Sequence, residues 1–203
     1  MRVLIITGYL PEIEKIKIKK SDFDYIITAD RGHEYADILG ISPDVKIGDF
    51  DSSHSPTVTS AEVIHLPVEK SMTDTEAALD IAATVQPSSV TILGGLGGRF
   101  DHAMGNISIL SKYDFPVEII DSHNSVKLLN AGEYIFEKKG YKYISLISYS
   151  SSVSGIDLSG VKYPLSNSTL YDGSTLGISN EILFDKCLLS FKSGQLLICQ
   201  SND

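Results

Sequence analysis

Aspartates recur in four short motifs in the first half of the chain. These are Asp30-Arg31-Gly32, Gly48-Asp49-Phe50-Asp51-Ser52, Thr73-Asp74-Thr75-Glu76 and Gly97-Gly98-Arg99-Phe100-Asp101-His102. Each follows an apolar run that is typical of a strand, or begins a helix. Strand ends gather at one edge of an α/β sheet, where ligands bind. Carboxylates gathered there repel one another unless a cation lies between them, and hard oxygen ligands suit Mg²⁺. The pattern therefore indicates a metal-and-phosphate site.

Asp49 and Asp51 are two residues apart, so on an extended backbone their carboxylates point to the same side. Gly48 allows another backbone or a ligand to approach closely. A structural explanation also exists, because Asp and Ser side chains often bond the backbone in turns. Asp74 likewise has two explanations, since an acidic residue in a helix's first turn gains about 0.3–1 kcal/mol from the helix dipole.

A glycine-rich loop is the second marked feature. Gly94-Gly95-Leu96-Gly97-Gly98 lies between a strand and a helix, where free backbone N–H groups can meet a phosphate. Arg99 can hold phosphate oxygens in a fork. The spacing fits neither G-x-G-x-x-G nor the Walker A motif. In a simple tight turn, Asp101 would cap the helix and His102 would bond a carbonyl; we interpret the loop as phosphate-binding.

Composition excludes several function classes. The net charge of −9 argues against a nucleic-acid partner, because phosphate backbones are bound by a surplus of Lys and Arg. The apolar run at residues 3–7 is too short for a signal peptide, and no stretch reaches membrane length. We expect a cytoplasmic protein in which Cys187 and Cys199 are buried thiols, the alternative being a disulfide.

The apolar runs predict the fold. Short runs that are typical of buried parallel strands occur at 3–7, 25–29, 45–47, 63–66, 90–93 and 117–120, and helical spacing occurs at 33–40, 74–85 and 101–112. Thr73 and Glu76 form a capping box. The alternation predicts a three-layer α/β domain with a mostly parallel sheet over residues 1–122.

The pattern changes near Asp121. Short alternating runs follow at 125–129, 133–138, 142–149, 168–171, 182–184, 187–191 and 195–200, separated by turns such as Asn130-Ala131-Gly132 and Lys192-Ser193-Gly194. Many short strands at regular spacing predict an all-β sandwich over residues 123–203.

In this order, the motifs resemble those of the thiamine pyrophosphokinase (thiamine diphosphokinase) family. The resemblance extends to Pro43-Asp44, Ile47-Gly48, Asn106, Gly160-Val161-Lys162-Tyr163-Pro164-Leu165 and Leu176-Gly177-Ile178-Ser179-Asn180-Glu181. It implies transfer of a pyrophosphoryl group from ATP to the thiamine hydroxyl, giving thiamine diphosphate and AMP. It also implies Mg²⁺ as cofactor, a homodimer, a nucleotide- and metal-binding α/β domain and a thiamine-binding β-sandwich.

The resemblance also implies roles for individual residues. The catalytic, Mg²⁺-binding acids would be Asp49, Asp51, Asp74 and Asp101. The nucleotide would be held by Asp30, Lys70, Gly97, Gly98, Arg99 and His102, and thiamine by Ser179 and Asn180. The family often carries an aspartate where this chain has Ser71. Some relatives place a tryptophan over the thiamine ring, whereas this chain has none, which leaves Tyr163 or another aromatic residue for that position.

Two other functions fit the same residues. One is a Mg²⁺-dependent hydrolase of nucleotide or sugar phosphates that uses the same acids. The other is a non-catalytic small-molecule binding protein, although this would leave the four separated acids without a purpose.

Overall fold

The structure is a computed structural model, and it describes residues 1–48, 61–67, 69 and 71–203. Asp49, Asp51 and Lys70, three of the residues expected to form the site, lie outside the described residues. The chain divides into two compact units, Met1–Ser122 and His123–Asp203. No helix in the described ranges is long and apolar enough to cross a membrane.

The first unit contains a parallel sheet. Its strands are β1 (Arg2–Ile6), β2 (Tyr25–Ala29), β3 (Val45–Gly48), β4 (Glu62–His65), β5 (Ser89–Leu93) and β6 (Val117–Ile120). They lie in the order β6-β5-β1-β2-β3-β4, and every neighbouring pair is parallel. The predicted strands are thus confirmed to within one residue at each end.

Among the described residues, the α-helices that connect and cover these strands are α1 (Gly32–Ile38), α2 (Asp74–Thr84) and α3 (Phe100–Ser108). In β1, four consecutive side chains from Val3 to Ile6 are fully buried. Successive side chains of a strand point to opposite faces, so both faces of the sheet are covered. This is the three-layer α/β arrangement predicted from the sequence.

The second unit is all-β and antiparallel. It consists of β7 (Asn124–Glu137), β8 (Tyr143–Ser148), β9 (Ser152–Ser159), β10 (Leu165–Tyr171) and β11 (Lys186–Ser201). Strand β11 pairs with β7 along most of its length, with β9 near its beginning and with β8 near its end. Buried residues such as Phe136, Ile144, Leu146, Ile156 and Leu196 form the sandwich core.

Several predicted strand ends in this unit are wrong. Asn130-Ala131-Gly132 lies inside β7, and Lys192-Ser193-Gly194 lies inside β11, where the register with β7 shifts between Phe191 and Gln195. Pairing between two long strands overrides the local turn preference of these residues. Residues 182–184 form only an isolated bridge from Ile182 to Val161, and β9 was not predicted.

Candidate active site

The order in which strands are added to the parallel sheet reverses at β1. From β1 the chain builds β2, β3 and β4 on one side, and then β5 and β6 on the other. In open α/β sheets, ligands bind in the crevice beyond the carboxyl ends of the strands at such a switch point. Here, the segments that follow β1 and β5 lie at that edge.

These two segments are joined by hydrogen bonds. The backbone N–H of Thr7 donates to the carbonyl of Leu93 over 3.0 Å, and its hydroxyl donates to the same oxygen over 3.2 Å. The N–H of Gly95 donates to the carbonyl of Tyr9 over 3.1 Å. A Cβ on Gly94, which has φ +92°, would lie 2.5 Å from that carbonyl, so only glycine fits there.

Tyr9 lies against the glycine loop and was not identified from the sequence. A Cβ on Gly97 would lie 2.6 Å from Cε1 of the Tyr9 ring, and one on Gly98 would lie 3.1 Å from Cδ2. These two glycines therefore let the backbone pack directly on the ring. The available signal was an aromatic residue directly after Gly8, the glycine that follows β1.

Helix α3 is fastened to the same loop. Asn106 is buried, and its side-chain amide donates to the carbonyl of Gly95 over 2.9 Å. Arg99 occupies the N-cap position, and its side chain makes no capping hydrogen bond. The N–H of His102 bonds to the Asp101 carboxylate, so among the described residues the N–H groups of Phe100 and Asp101 are left to other acceptors.

Arg99 and Asp101 form an ion pair at the beginning of α3. Arg99 Nη2 lies 2.6 Å from Asp101 Oδ2, and both side chains are exposed. The hydrogen bond from Arg99 lowers the pKa of the Asp101 carboxyl, and a 2.9 Å bond from the N–H of His102 acts in the same direction. The anionic form of Asp101 is therefore stabilised.

Asp30 directly follows β2 and has a φ of +53°. Its N–H donates to the carbonyl of Ile47 over 2.8 Å, and Nδ1 of buried His33 donates to its carbonyl over 2.9 Å. A Cβ on Gly8 would lie 2.7 Å from Asp30 Oδ2. The Asp30 carboxylate thus lies beside the carboxyl end of β1, as the strand pattern predicts.

Asp74 is the first residue of α2, and the Thr73 hydroxyl accepts a hydrogen bond from the N–H of Glu76 over 3.2 Å. This confirms the predicted helix start. The Glu76 carboxylate accepts a bond from Lys112 over 2.9 Å, and Lys112 also contacts Asp80. These contacts join α2 to the segment that follows α3.

The described residues do not form a metal centre by themselves. Over the described ranges, no group of three or more His, Cys, Asp or Glu residues could hold a metal ion. Asp30, Asp74 and Asp101 therefore do not make such a group alone. Since Asp49 and Asp51 lie outside the described ranges, the full set of acids stays a prediction.

In the second unit, Ser179 and Asn180 connect backbone segments. The N–H of Ser179 donates to the hydroxyl of Ser145 over 3.0 Å. The buried Asn180 amide accepts from the N–H of Tyr163 over 3.0 Å and donates to the Tyr163 carbonyl over 2.7 Å. Asn180 thus fixes the backbone of Tyr163, whose side chain is 60% exposed.

Comparison with known families gives two matches. Residues 17–120 match the sequence model of the thiamin pyrophosphokinase catalytic domain. Residues 133–196 match the model of the thiamin pyrophosphokinase vitamin B1 binding domain. The two matches lie one in each structural unit.

Individual relatives agree with these matches. The thiamine pyrophosphokinase of Bacillus subtilis (strain 168) is 38% identical over 173 residues, 81% of either chain. The crystal structure of a Bacillus subtilis thiamine pyrophosphokinase covers 100% of both chains at 33% identity, with a TM-score of 0.88. That of the Geobacillus thermodenitrificans thiamin pyrophosphokinase covers 100% of this chain and 98% of its own at 34% identity, with a TM-score of 0.87. The chain therefore belongs to the thiamine pyrophosphokinase family.

Proposed function

We propose that this protein transfers the pyrophosphoryl group of ATP to the hydroxyl of thiamine, giving thiamine diphosphate and AMP. The observation that carries this proposal is the pair of family matches, a catalytic domain at 17–120 and a vitamin B1 binding domain at 133–196. We assign nucleotide and metal binding to residues 1–122 and thiamine binding to residues 123–203. We further propose a homodimer that works in the cytoplasm.

The glycine loop and the beginning of α3 are proposed to hold the ATP phosphates. Gly97 and Gly98 have no side chains to obstruct an anion, and the Arg99 side chain at the N-cap position does not bond to the first N–H groups of α3. The partial positive charge at a helix N-terminus favours a phosphate there. Arg99 would add a guanidinium fork, and we assign His102 and Lys70 to the same anion.

Mg²⁺ fits the donor set that we assign to it. Asp49, Asp51, Asp74 and Asp101 supply only hard carboxylate oxygens, which Mg²⁺ prefers. Asp101 is already held in its anionic form by Arg99. Asp30 is the fifth acid that we place near this set. When bound, the ion neutralises charge on the phosphate oxygens.

The chemistry then depends mainly on position. Pyrophosphoryl transfer passes through an in-line transition state with dispersed negative charge, so catalysis is mostly orientation and electrostatic stabilisation. Arg99 and the N–H groups of Phe100 and Asp101 at the beginning of α3 would hold the phosphate chain in that orientation. One of the aspartates would accept the proton of the thiamine hydroxyl.

In the second unit we assign thiamine binding to Ser179 and Asn180. The Asn180 side chain makes two hydrogen bonds to the backbone of Tyr163, so its contribution includes holding that residue in place. Tyr163 is exposed and presents an aromatic ring. We propose that its ring takes the place of the tryptophan that stacks on thiamine in some relatives.

A thiamine-dependence assay tests the proposal. Purified protein is incubated with ATP and Mg²⁺, with and without thiamine, and AMP and thiamine diphosphate are measured by chromatography. We expect AMP release only when thiamine is present. Release of AMP or phosphate without thiamine would favour the hydrolase, and tight thiamine binding without any turnover would favour a binding protein.

A further inference from the structure

We infer that the ring of Tyr9 is the surface on which the base of the nucleotide donor stacks. This inference rests on the proposed function, because it takes ATP as the donor. It adds a binding residue and a base subsite to the phosphate loop described above.

The glycine loop crosses one side of the Tyr9 ring. A Cβ on Gly97 would approach Cε1 and Cδ1, on one edge of the ring, whereas a Cβ on Gly98 would approach Cδ2 and Cε2, on the opposite edge. The backbone of these two glycines therefore packs directly against the ring. Tyr9 is nevertheless 44% exposed, so the loop leaves part of this residue accessible to solvent and to a ligand.

The backbone that carries this ring is anchored on both sides. Thr7, two residues earlier, is buried and bonded to Leu93, and Leu10, the next residue, is only 2% exposed and packs in the core under α1. The Tyr9 carbonyl also accepts the N–H of Gly95. A ring held in this way loses little conformational freedom when a ligand stacks on it, which favours binding.

The position of the ring favours a nucleotide base over other planar ligands. It contacts Gly97 and Gly98, the residues next to Arg99 in the proposed phosphate loop. A ligand whose phosphates occupy that loop can extend its base over an adjacent aromatic face. Every base has a π face, and stacking on aromatic side chains contributes about 1–3 kcal/mol per base. Thiamine is assigned to the second unit, which matches the vitamin B1 binding domain.

The test separates the base from the phosphates. Calorimetry measures the binding of ATP and of inorganic tripolyphosphate, each with Mg²⁺ and without thiamine, to the full-length wild type and its variants. Tyr9→Leu is expected to weaken ATP binding by roughly 10-fold, because the flat face is lost. The affinity for tripolyphosphate, which has no base, should change by less than about 2-fold. Tyr9→Phe keeps the ring and should restore the affinity for ATP.

Two further variants complete the comparison. Tyr171→Leu removes an exposed tyrosine of the second unit and should leave both affinities unchanged. Tyr9→Met fills the space beside Gly97 without a flat face, and it replaces Tyr9→Leu if thermal denaturation shows that Tyr9→Leu is misfolded. The wild type should also bind ATP more tightly than ribose 5-triphosphate, a comparison that needs no mutation.

Each alternative outcome is decisive. Equal losses for ATP and tripolyphosphate would mean that Tyr9 only holds the glycine loop, and unchanged ATP binding would mean that no base stacks there. Either result overturns the inference even if the wild type makes thiamine diphosphate. Conversely, base-dependent ATP binding through Tyr9 without any thiamine-dependent AMP release would leave the inference intact and contradict the proposed function.

Discussion

The Arg99 guanidinium and the Asp101 carboxylate bind each other through two hydrogen bonds. Nε lies 3.1 Å from Oδ1, and Nη2 lies 2.6 Å from Oδ2. The same atoms are those with which Arg99 would hold phosphate and Asp101 would hold a metal ion. Exposed ion pairs contribute little to stability, so a ligand with charges of both signs can separate this one. The pair keeps both groups at the beginning of α3.

Arg99→Ala should weaken the binding of ATP more than the binding of thiamine. Loss of a two-point phosphate contact is expected to raise KM for ATP by roughly 10-fold or more, because hydrogen bonds to charged groups contribute about 1.5–3 kcal/mol. KM for thiamine should change by less than about 2-fold. Steady-state kinetics with each substrate varied in turn measures both constants.

Lys15→Ala is the matched control for Arg99→Ala. It breaks another exposed ion pair of the same unit, that of Lys15 with Glu12. Its kinetic constants should equal those of the wild type. Parallel losses for ATP and thiamine in Arg99→Ala would contradict the assignment of Arg99 to the phosphates.

The same pair sets an expectation for acid pH. Arg99 lowers the pKa of Asp101, so the carboxylate of the wild type stays ionised to lower pH than an isolated aspartate. Removing the guanidinium raises that pKa again. If ionised Asp101 is required, the acidic limb of kcat/KM against pH should lie at higher pH in Arg99→Ala. A limb that stays in place would show that Asp101 does not determine it.

Substitutions at Thr73 and Asp74 should affect stability and activity differently. Thr73 accepts the capping hydrogen bond of α2, so Thr73→Ala should cost about 1 kcal/mol of unfolding free energy. Asp74→Asn keeps the cap and should lose less stability, but it removes a proposed metal ligand and should lower kcat by more than about 100-fold. Urea unfolding and kcat at saturating Mg²⁺ measure the two effects. Near-normal turnover of Asp74→Asn would remove it from the metal set.

The sequence predicted the strands of the first unit well because each is a short run, mostly apolar, between polar breaks. In β1, for example, the run from Val3 to Ile6 is fully buried. The long strands of the second unit were predicted as pieces. Gly132 and Gly194 resemble turn residues, but β7 and β11 continue through them, because pairing with a distant strand is not encoded locally.

For the site, the sequence identified residues with charge or unusual backbone freedom. It placed Asp30 at the end of β2 and Thr73 at the beginning of α2, both as found. It did not identify Tyr9, because the significance of that ring depends on its contact with Gly97 and Gly98, which lie almost 90 residues away. It also did not predict that Arg99 and Asp101 pair with each other.

The stability of the protein at alkaline pH tests the burial of its two thiols. Both cysteines are free; Cys187 is buried and Cys199 is half-buried, and burial raises the pKa of both thiols to about 11. In the unfolded chain the pKa of each thiol returns to the ordinary value of about 8.5. Between that pH and about 11, the unfolded chain has therefore released thiol protons that the folded chain retains. Stability should therefore fall as pH rises from about 9 to 11.

Urea unfolding across this pH range measures the effect, and a Cys187→Ala, Cys199→Ala double variant is the control. The double variant should be less stable at neutral pH, because it loses packing, but its stability should fall less between pH 9 and 11 than that of the wild type. Equal pH slopes would contradict the burial of the thiols.

Lys46 is a buried lysine whose substitution should change the stability of the fold. It lies in β3, in register with Thr28 of β2, and is only 1% exposed. Within the described ranges, its ammonium group has no hydrogen bond or ion pair. Burying an ammonium group that has no partner among the described residues is costly. Lys46→Met keeps the length of the side chain and removes the charge, and should raise the free energy of unfolding by about 0.5–2 kcal/mol.

Lys46→Arg is the matched variant for this prediction, since it keeps the charge but adds volume and should destabilise the fold. Thermal and urea unfolding of the three proteins, with activity measured in parallel, give the comparison. A stabilised Lys46→Met with normal activity would mark the charge as a cost without a catalytic role, whereas a stabilised variant with reduced activity would mean that the enzyme keeps the charge for function. If Lys46→Met is less stable than the wild type, the ammonium is compensated in the folded protein and the expectation is wrong.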